Sequence, residues 1–116
     1  MDDAFSYLDT IVRVSIDRPV GSRHPDWGYA YPINYGFVPG TKSGDGEPID
    51  VYVLRAADPM VAFEGRCVAV IVREEEDDPK LVVVPDGENP PNEEIRAAVD
   101  FQERFFSSRI ERLRAV

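Results

Sequence analysis

The sequence predicts an α+β fold, in which a C-terminal helix packs on a small antiparallel β-barrel of about five strands. Up to residue 85, short apolar segments alternate with loops rich in glycine and proline, and this pattern is typical of strands. The last part of the chain changes to helical spacing. A length of 116 residues predicts one domain, residues 1–116, which can bury a core without disulfides or a structural metal.

The five predicted strands are residues 11–17, 29–38, 49–55, 66–73 and 80–84. In the first, Val12, Val14 and Ile16 alternate with polar residues, so one face would be buried. Pro32 and Gly36 interrupt the second, which predicts a bent or edge strand.

The segment 66–73 is apolar at almost every position, which predicts a strand buried on both faces. The acidic run 74–78 would be the turn that joins it to residues 80–84 in a hairpin.

One helix of about 20 residues is predicted after the two prolines at positions 90 and 91. Asn92 can cap its first turn, and Glu93 and Glu94 suit the positive end of the helix dipole. Apolar side chains recur at helical spacing as far as Leu113, and Arg109 would lie near the C-terminal end.

Charge and composition restrict the classes of partner. The net charge is −9, with 22 acidic and 13 basic residues. Nucleic acids and anionic membrane surfaces need a positive protein surface, so neither is an expected partner. With no apolar run of membrane-spanning length, no basic N-terminal signal and one cysteine, the chain is expected to be cytoplasmic.

The first acidic cluster is Asp45, Glu47 and Asp50. Asp45 and Glu47 would project to the same side of an extended segment, and Asp50 lies in an otherwise apolar strand. Converging carboxylates repel each other, and oxygen ligands favour Mg²⁺, Mn²⁺ or Ca²⁺. Alternatively, the segment is a polar turn and Asp50 pairs with an arginine.

The second acidic cluster, residues 74–78, is either a solvated hairpin tip or a further source of ligands, with Lys80 beside Asp78. The aromatic segment 31–37, preceded by Arg18 and Arg23, can contact phosphate through hydroxyl and guanidinium groups. Its aromatic side chains could equally belong to the core.

Together these segments resemble the soluble family I inorganic pyrophosphatases. The segment Tyr-Pro-Ile-Asn-Tyr-Gly at 31–36 precedes Asp-Gly-Glu-Pro-Ile-Asp-Val at 45–51, and that family has an Asp-x-Asp-Pro-hydrophobic-Asp run after a Tyr-Pro-x-Asn-Tyr-Gly segment. The segment Asp-Pro-Lys-Leu-Val at 78–82 is similar to its Asp-x-Lys-Leu-Val element.

The resemblance implies an OB-like barrel that hydrolyses diphosphate, taken as its magnesium complex, with two or more Mg²⁺ ions, Mn²⁺ being possible. It implies that Glu47 activates the attacking water. The implied metal ligands are Asp45, Asp50, Asp78 and one of Glu74 and Glu75, with Glu75 preferred. The implied phosphate contacts are Arg18, Arg23, Tyr35, Lys80 and Arg109.

The chain also departs from the family pattern. It is shorter than typical members, and Glu47 stands where they have aspartate. Alternative hypotheses are therefore a catalytically weak or silent module that binds cations or phosphate, and a hydrolase of a different phosphoanhydride. A homo-oligomer is expected, because a shortened barrel leaves apolar surface to cover.

Overall fold

The computed structural model describes residues 2–113. A single 3-10 turn precedes five strands, a helix and a sixth strand. The elements are the turn Ala4–Tyr7, β1 (Ile11–Arg18), β2 (Asn34–Phe37), β3 (Asp50–Val53), β4 (Ala62–Arg73), β5 (Lys80–Val84), α1 (Asn92–Glu103) and β6 (Ser108–Glu111).

The first five strands form a closed barrel, which confirms the predicted α+β fold with its single helix. The strand order is β1-β2-β3-β5-β4, and the start of β4 pairs with β1 to close the ring. The prediction of an all-antiparallel barrel is wrong in one place, because β3 and β5 run parallel. The long β4 lies between them in sequence and returns the chain to the same end of the barrel.

Strands β4 and β5 form the predicted hairpin, with the acidic run as its turn. Strand β4 is 12 residues long and begins earlier than expected, because its first residues pair with β1. Its last residues, Val70 to Arg73, pair with β6.

The prediction of a helix reaching Leu113 is wrong. Helix α1 is 12 residues long and ends at Glu103. After a turn, Ser108–Glu111 adds to the open edge of β4, so Arg109 lies on a strand. Helical spacing alone assigned residues 108–111 to the helix. Their backbone groups instead form hydrogen bonds with β4.

The core has two parts. Side chains inside the barrel include Val12, Val14 and Ile16, as their alternation predicted, together with the fully buried Cys67. Burial raises the pKa of the Cys67 thiol to about 12, so this residue behaves as a small apolar side chain. The second part packs between the barrel and α1 and includes several tyrosines.

The pairing of β3 with β5 positions the polar residues that follow. Val51 lies opposite Leu81, so Asp50 and Lys80 begin these two neighbouring strands at the same end of the barrel. No helix within residues 2–113 is long and apolar enough to cross a membrane.

Candidate active site

Lys80 lies between two of the predicted metal ligands. Its ammonium donates to Asp50 Oδ2 at 2.7 Å and to Asp78 Oδ2 at 2.6 Å. The lysine is 2% exposed, and such a buried cation needs opposite charge close by. The start of β5 therefore brings together Asp50, Asp78 and Lys80.

Asp78 has an unused oxygen. Its Oδ1 is buried and has no hydrogen-bond partner among the described residues. Burial raises the pKa of Asp78, and Lys80 only partly offsets this, while Asp50 and Asp45 raise it further. A buried carboxylate oxygen without a donor is costly, so Asp78 is suited to accept a cation.

The loop that carries Asp45 packs against the turn before Asp78. A Cβ placed on Gly44 would lie 2.1 Å from Asp77 Cγ and 2.6 Å from its backbone oxygen. Only glycine allows this close approach. The two acidic segments, which are about 30 positions apart in sequence, are thus neighbours in the fold.

Asp45 is held within its own loop. Its carboxylate accepts the Ser43 hydroxyl and the Glu47 backbone N–H, the latter at 2.9 Å. Burial alone would raise the pKa of Asp45, but these hydrogen bonds and the Lys80 charge outweigh it and lower the pKa. The Asp45 carboxylate is therefore stabilised in its charged form.

Glu47 and Glu75 are both exposed and are not part of the Lys80 cluster. Glu75 Oε1 accepts the Ser107 backbone N–H at 3.3 Å, and Glu74 accepts the Ser107 hydroxyl at 3.1 Å. Within residues 2–113, no side chain donates to the Glu47 carboxylate, which faces solvent.

Lys80 and Tyr35 line a cavity of about 180 Å³ together with Arg73 and Gln102. Burial raises the pKa of the Tyr35 hydroxyl well above its ordinary value, and Asp50 adds to the effect. Tyr35 is thus a neutral hydrogen-bond donor beside the Lys80 ammonium.

The three predicted arginines lie elsewhere. Arg18 ends β1, where its guanidinium donates to the Asp17 carbonyl at 3.2 Å. Arg23 is exposed and donates to the Gly28 carbonyl at 2.9 Å. Arg109 lies on β6, pairs with Glu111 at 2.7 Å, and does not line the cavity.

Arg73 is a site residue that the sequence interpretation missed. Its guanidinium makes a bifurcated pair with Glu103, with contacts of 2.8 to 3.3 Å. Its Cζ lies 3.7 Å from the Phe106 ring centroid, and its Nη1 lies 3.8 Å from Asp78 Oδ2. Glu103 raises its pKa against the effect of burial, so Arg73 stays cationic at the cavity wall.

Asp17, on β1, was also missed. Burial raises the pKa of its carboxyl, and the nearby Asp50 adds to the effect. The Asp17 carboxyl is therefore near enough to Asp50 for the two charges to repel each other. In the sequence, Asp17 is distinguished only as one of the polar residues that alternate with the apolar residues of β1.

The donor set fits a divalent cation by its chemistry. In the arrangement of residues 2–113, no three Asp, Glu, His or Cys side chains stand close enough to hold a metal ion; the Lys80 ammonium lies between Asp50 and Asp78. The unpaired Asp78 oxygen, with Asp50 and Asp45 near it, nevertheless offers the hard anionic oxygens that Mg²⁺ and Mn²⁺ prefer.

A second cavity, about 390 Å³ in volume, is lined by Arg66, Asp86 and Arg112 but by none of the predicted site residues. Arg66 already pairs with Asp86 at 2.8 Å, and Arg112 donates to the Pro90 carbonyl and to Asn92. Both arginines are thus engaged with neighbours, and the cavity contains none of the residues for which the sequence predicts a role.

Comparison with known proteins identifies relatives of one kind. The family model described as "Inorganic pyrophosphatase" matches residues 14–112. The inorganic pyrophosphatase of Mesorhizobium japonicum is 39% identical over 82 residues, which are 64% of this chain and 46% of that protein. That of Aeropyrum pernix is 43% identical over 65 residues, 53% of this chain and 37% of that protein. The chain spans less than half the length of these curated relatives.

Solved structures agree with the fold. The inorganic pyrophosphatase of Ehrlichia chaffeensis superposes with a TM-score of 0.71 at 23% identity, covering 90% of this chain and 87% of that one. The one from Neisseria gonorrhoeae gives 0.59 at 27% identity, covering 76% of this chain and 69% of that one.

Proposed function

The chain belongs to the inorganic pyrophosphatase family, and from that premise we propose that it hydrolyses inorganic diphosphate to two phosphates with the help of Mg²⁺. The observation that supports this most directly is the buried cluster of Asp50, Lys80 and Asp78, with its unpaired Asp78 oxygen. Such a cluster combines cation ligands with a phosphate-binding ammonium.

Asp45, Asp50 and Asp78 would hold two or more magnesium ions, with Mn²⁺ as a possible substitute. Glu75 would join them, since its turn packs beside the Asp45 loop. When bound, the metal supplies charge neutralisation on the phosphates and lowers the pKa of the attacking water.

Lys80 and Tyr35 would hold a phosphate, because both line the same cavity. Lys80 donates charged hydrogen bonds, and Tyr35 donates a neutral one. Arg73, rather than Arg109, would add a guanidinium at the cavity wall. Arg18 and Arg23 do not line this cavity, and their contact with outer phosphate oxygens of a substrate that enters as its magnesium complex stays a prediction.

Glu47 would accept the proton of the attacking water. Its carboxylate is exposed and belongs to the same loop as Asp45. The water oxygen bonds to one phosphorus, the bond from that phosphorus to the bridging oxygen breaks, and two phosphates leave.

The test is phosphate release from diphosphate with Mg²⁺ by the wild type and by Asp50→Asn and Asp45→Asn. Each substitution removes one anionic ligand, so we expect a loss of at least about 100-fold. Glu64→Gln is the matched control, because Glu64 pairs with the exposed Arg13 on another face.

Unchanged turnover in both aspartate variants would show that these residues are not the metal site. No metal-dependent phosphate release by the folded wild type would refute the activity itself.

The cytoplasmic location and the homo-oligomer stay predictions. Exposed apolar side chains such as Ile11 and Val61 are consistent with a covered surface in an oligomer. A monomeric mass in light scattering would refute the oligomer.

A further inference from the structure

The cavity beside Lys80 is lined by two kinds of group. Lys80, Tyr35 and Arg73 suit phosphate oxygens. The rings of His24, Trp27, Tyr29 and Phe106 line it as well. Phe106 packs on Arg73, and the Tyr29 hydroxyl donates to Gln102, so these rings have structural roles. Inorganic diphosphate has no apolar surface and gives no reason for the exposed Trp27 ring.

Trp27 lies at the mouth of the cavity. Trp27 is 57% exposed, whereas Lys80 is 2% exposed. The His24 ring stacks on Trp27 with centroids 5.1 Å apart and planes 17° from parallel. Phe105, also half exposed, meets the indole edge-on at 5.2 Å. Trp27 is therefore held in place by two neighbouring rings and still faces solvent.

An exposed, immobilised indole is a stacking surface for a flat heterocycle. Stacking of a nucleobase on an aromatic side chain stabilises a complex whichever base is present, because every base has a π-face. The cavity itself, at about 180 Å³, is smaller than the ~300–1,000 Å³ of pockets that enclose a drug-sized ligand. It can hold phosphate groups at Lys80 while a base stays at the mouth.

We propose that the site also takes a nucleoside diphosphate, with its phosphates at Lys80 and its base on Trp27. This inference rests on the proposed function, because it uses the same phosphate-binding groups. The water oxygen bonds to the terminal phosphorus and the bond to the bridging oxygen breaks. The products are a nucleoside monophosphate and orthophosphate, and the water proton passes to Glu47 and then to solvent.

Trp27 is the only tryptophan of the chain, so its fluorescence reports on the mouth directly. Titration of the full chain with ADP should quench this emission saturably. Inorganic diphosphate should leave the emission unchanged but displace ADP. Phe105→Ala should weaken the quenching, whereas Val61→Ala, which removes an exposed apolar side chain elsewhere, should not.

Steady-state kinetics distinguish the contribution of the base contact from that of the phosphate contacts. Trp27→Ala should lower kcat/KM for ADP about tenfold, the equivalent of about 1.4 kcal/mol of stacking, and leave kcat/KM for diphosphate unchanged. Trp27→Phe, which keeps a ring, should restore part of the loss for ADP.

The proposal is overturned if ADP does not quench the Trp27 emission, or if Trp27→Ala lowers kcat/KM for ADP and for diphosphate equally. It is also overturned if the emission follows protein concentration instead of ADP, because the mouth is then an interface between copies. Quenching by ADP without turnover of diphosphate would support the nucleotide-binding site. It would refute the proposed hydrolysis of diphosphate.

Discussion

At the scale of single residues, Lys80 supplies the positive charge on which the acidic cluster depends. Its side chain is almost fully buried, and it pairs with Asp50 and Asp78. Removing one partner of a buried charge cluster leaves the others uncompensated.

We expect Lys80→Met to lower the free energy of unfolding by about 3 kcal/mol in the absence of divalent ions. Added Mg²⁺ should recover part of this loss, because an ion that binds only the folded state stabilises it. Urea denaturation with and without Mg²⁺ measures both effects.

Arg13→Met is the control for Lys80→Met. Arg13 pairs with Glu64 across an exposed surface, so its loss should cost less than about 1 kcal/mol. An equal loss for the two variants would contradict the structural importance of Lys80.

The residues of this cluster were predictable only in part. Asp45, Asp50, Asp78 and Lys80 were identified from their motifs, which are local in sequence. Arg73 was not, because its partner Glu103 is 30 positions away and nothing near Arg73 in sequence distinguishes it from a solvent-facing arginine at a strand end.

At the scale of elements, the close packing of the Asp45 loop on the turn before Asp78 is the contact that joins the two acidic segments. Gly44 permits it, since any side chain there would meet the Asp77 side chain and backbone.

Gly44→Ala should therefore separate the loop from the turn and weaken Mg²⁺ binding. A displacement of ~1 Å can cost ~100-fold in turnover. Phosphate release as a function of Mg²⁺ concentration measures this effect.

The comparison for Gly44→Ala is Gly87→Ala. Gly87 has a φ of 93° and open space around it, so alanine there adds backbone strain without displacing a neighbour. If Gly87→Ala weakened Mg²⁺ binding as much as Gly44→Ala, the close contact with Asp77 would not be the cause.

The sequence predicted the elements well where their pattern is local. The alternation of β1 and the hairpin of β4 with β5 follow from a period of two and an obvious turn. The end of α1 could not be predicted in this way, because Ile110 fits both a helical face and β6. What decides between them is the open edge of β4, a feature of the tertiary structure.

At the scale of the whole molecule, buried tyrosines connect the barrel to the helix. Tyr52 donates to Glu103 at 2.6 Å and accepts from Gln102 at 2.8 Å. The side-chain oxygen Oε1 of Gln102 in turn accepts hydrogen bonds from the hydroxyls of Tyr29 and Tyr31. This network fixes α1 on the barrel.

Stability should fall in alkali because of these tyrosines. Burial raises the pKa of Tyr31 from 10.0 to about 12, and burial also raises the pKa values of Tyr35 and Tyr52. Between pH 10 and 12 the unfolded chain binds fewer protons than the folded one, so the free energy of unfolding decreases as pH rises.

Denaturant midpoints measured from neutral pH to pH 12, with tyrosinate absorbance as a second signal, test the alkaline loss of stability. Tyr31→Phe should make the decline shallower. Midpoints that stay flat above pH 10 would contradict the burial of these hydroxyls.

Closure of the barrel by β1 and β4 also bears on how fast the chain can fold. Arg13 meets Glu64 across a separation of 51 positions, so closing the ring costs the conformational entropy of a long loop. Pairings between distant segments place a domain among the slower two-state folders, with relaxation times of about milliseconds to seconds. During synthesis, β1 can pair early with β2, but about half of the polypeptide must emerge before β4 can close the ring.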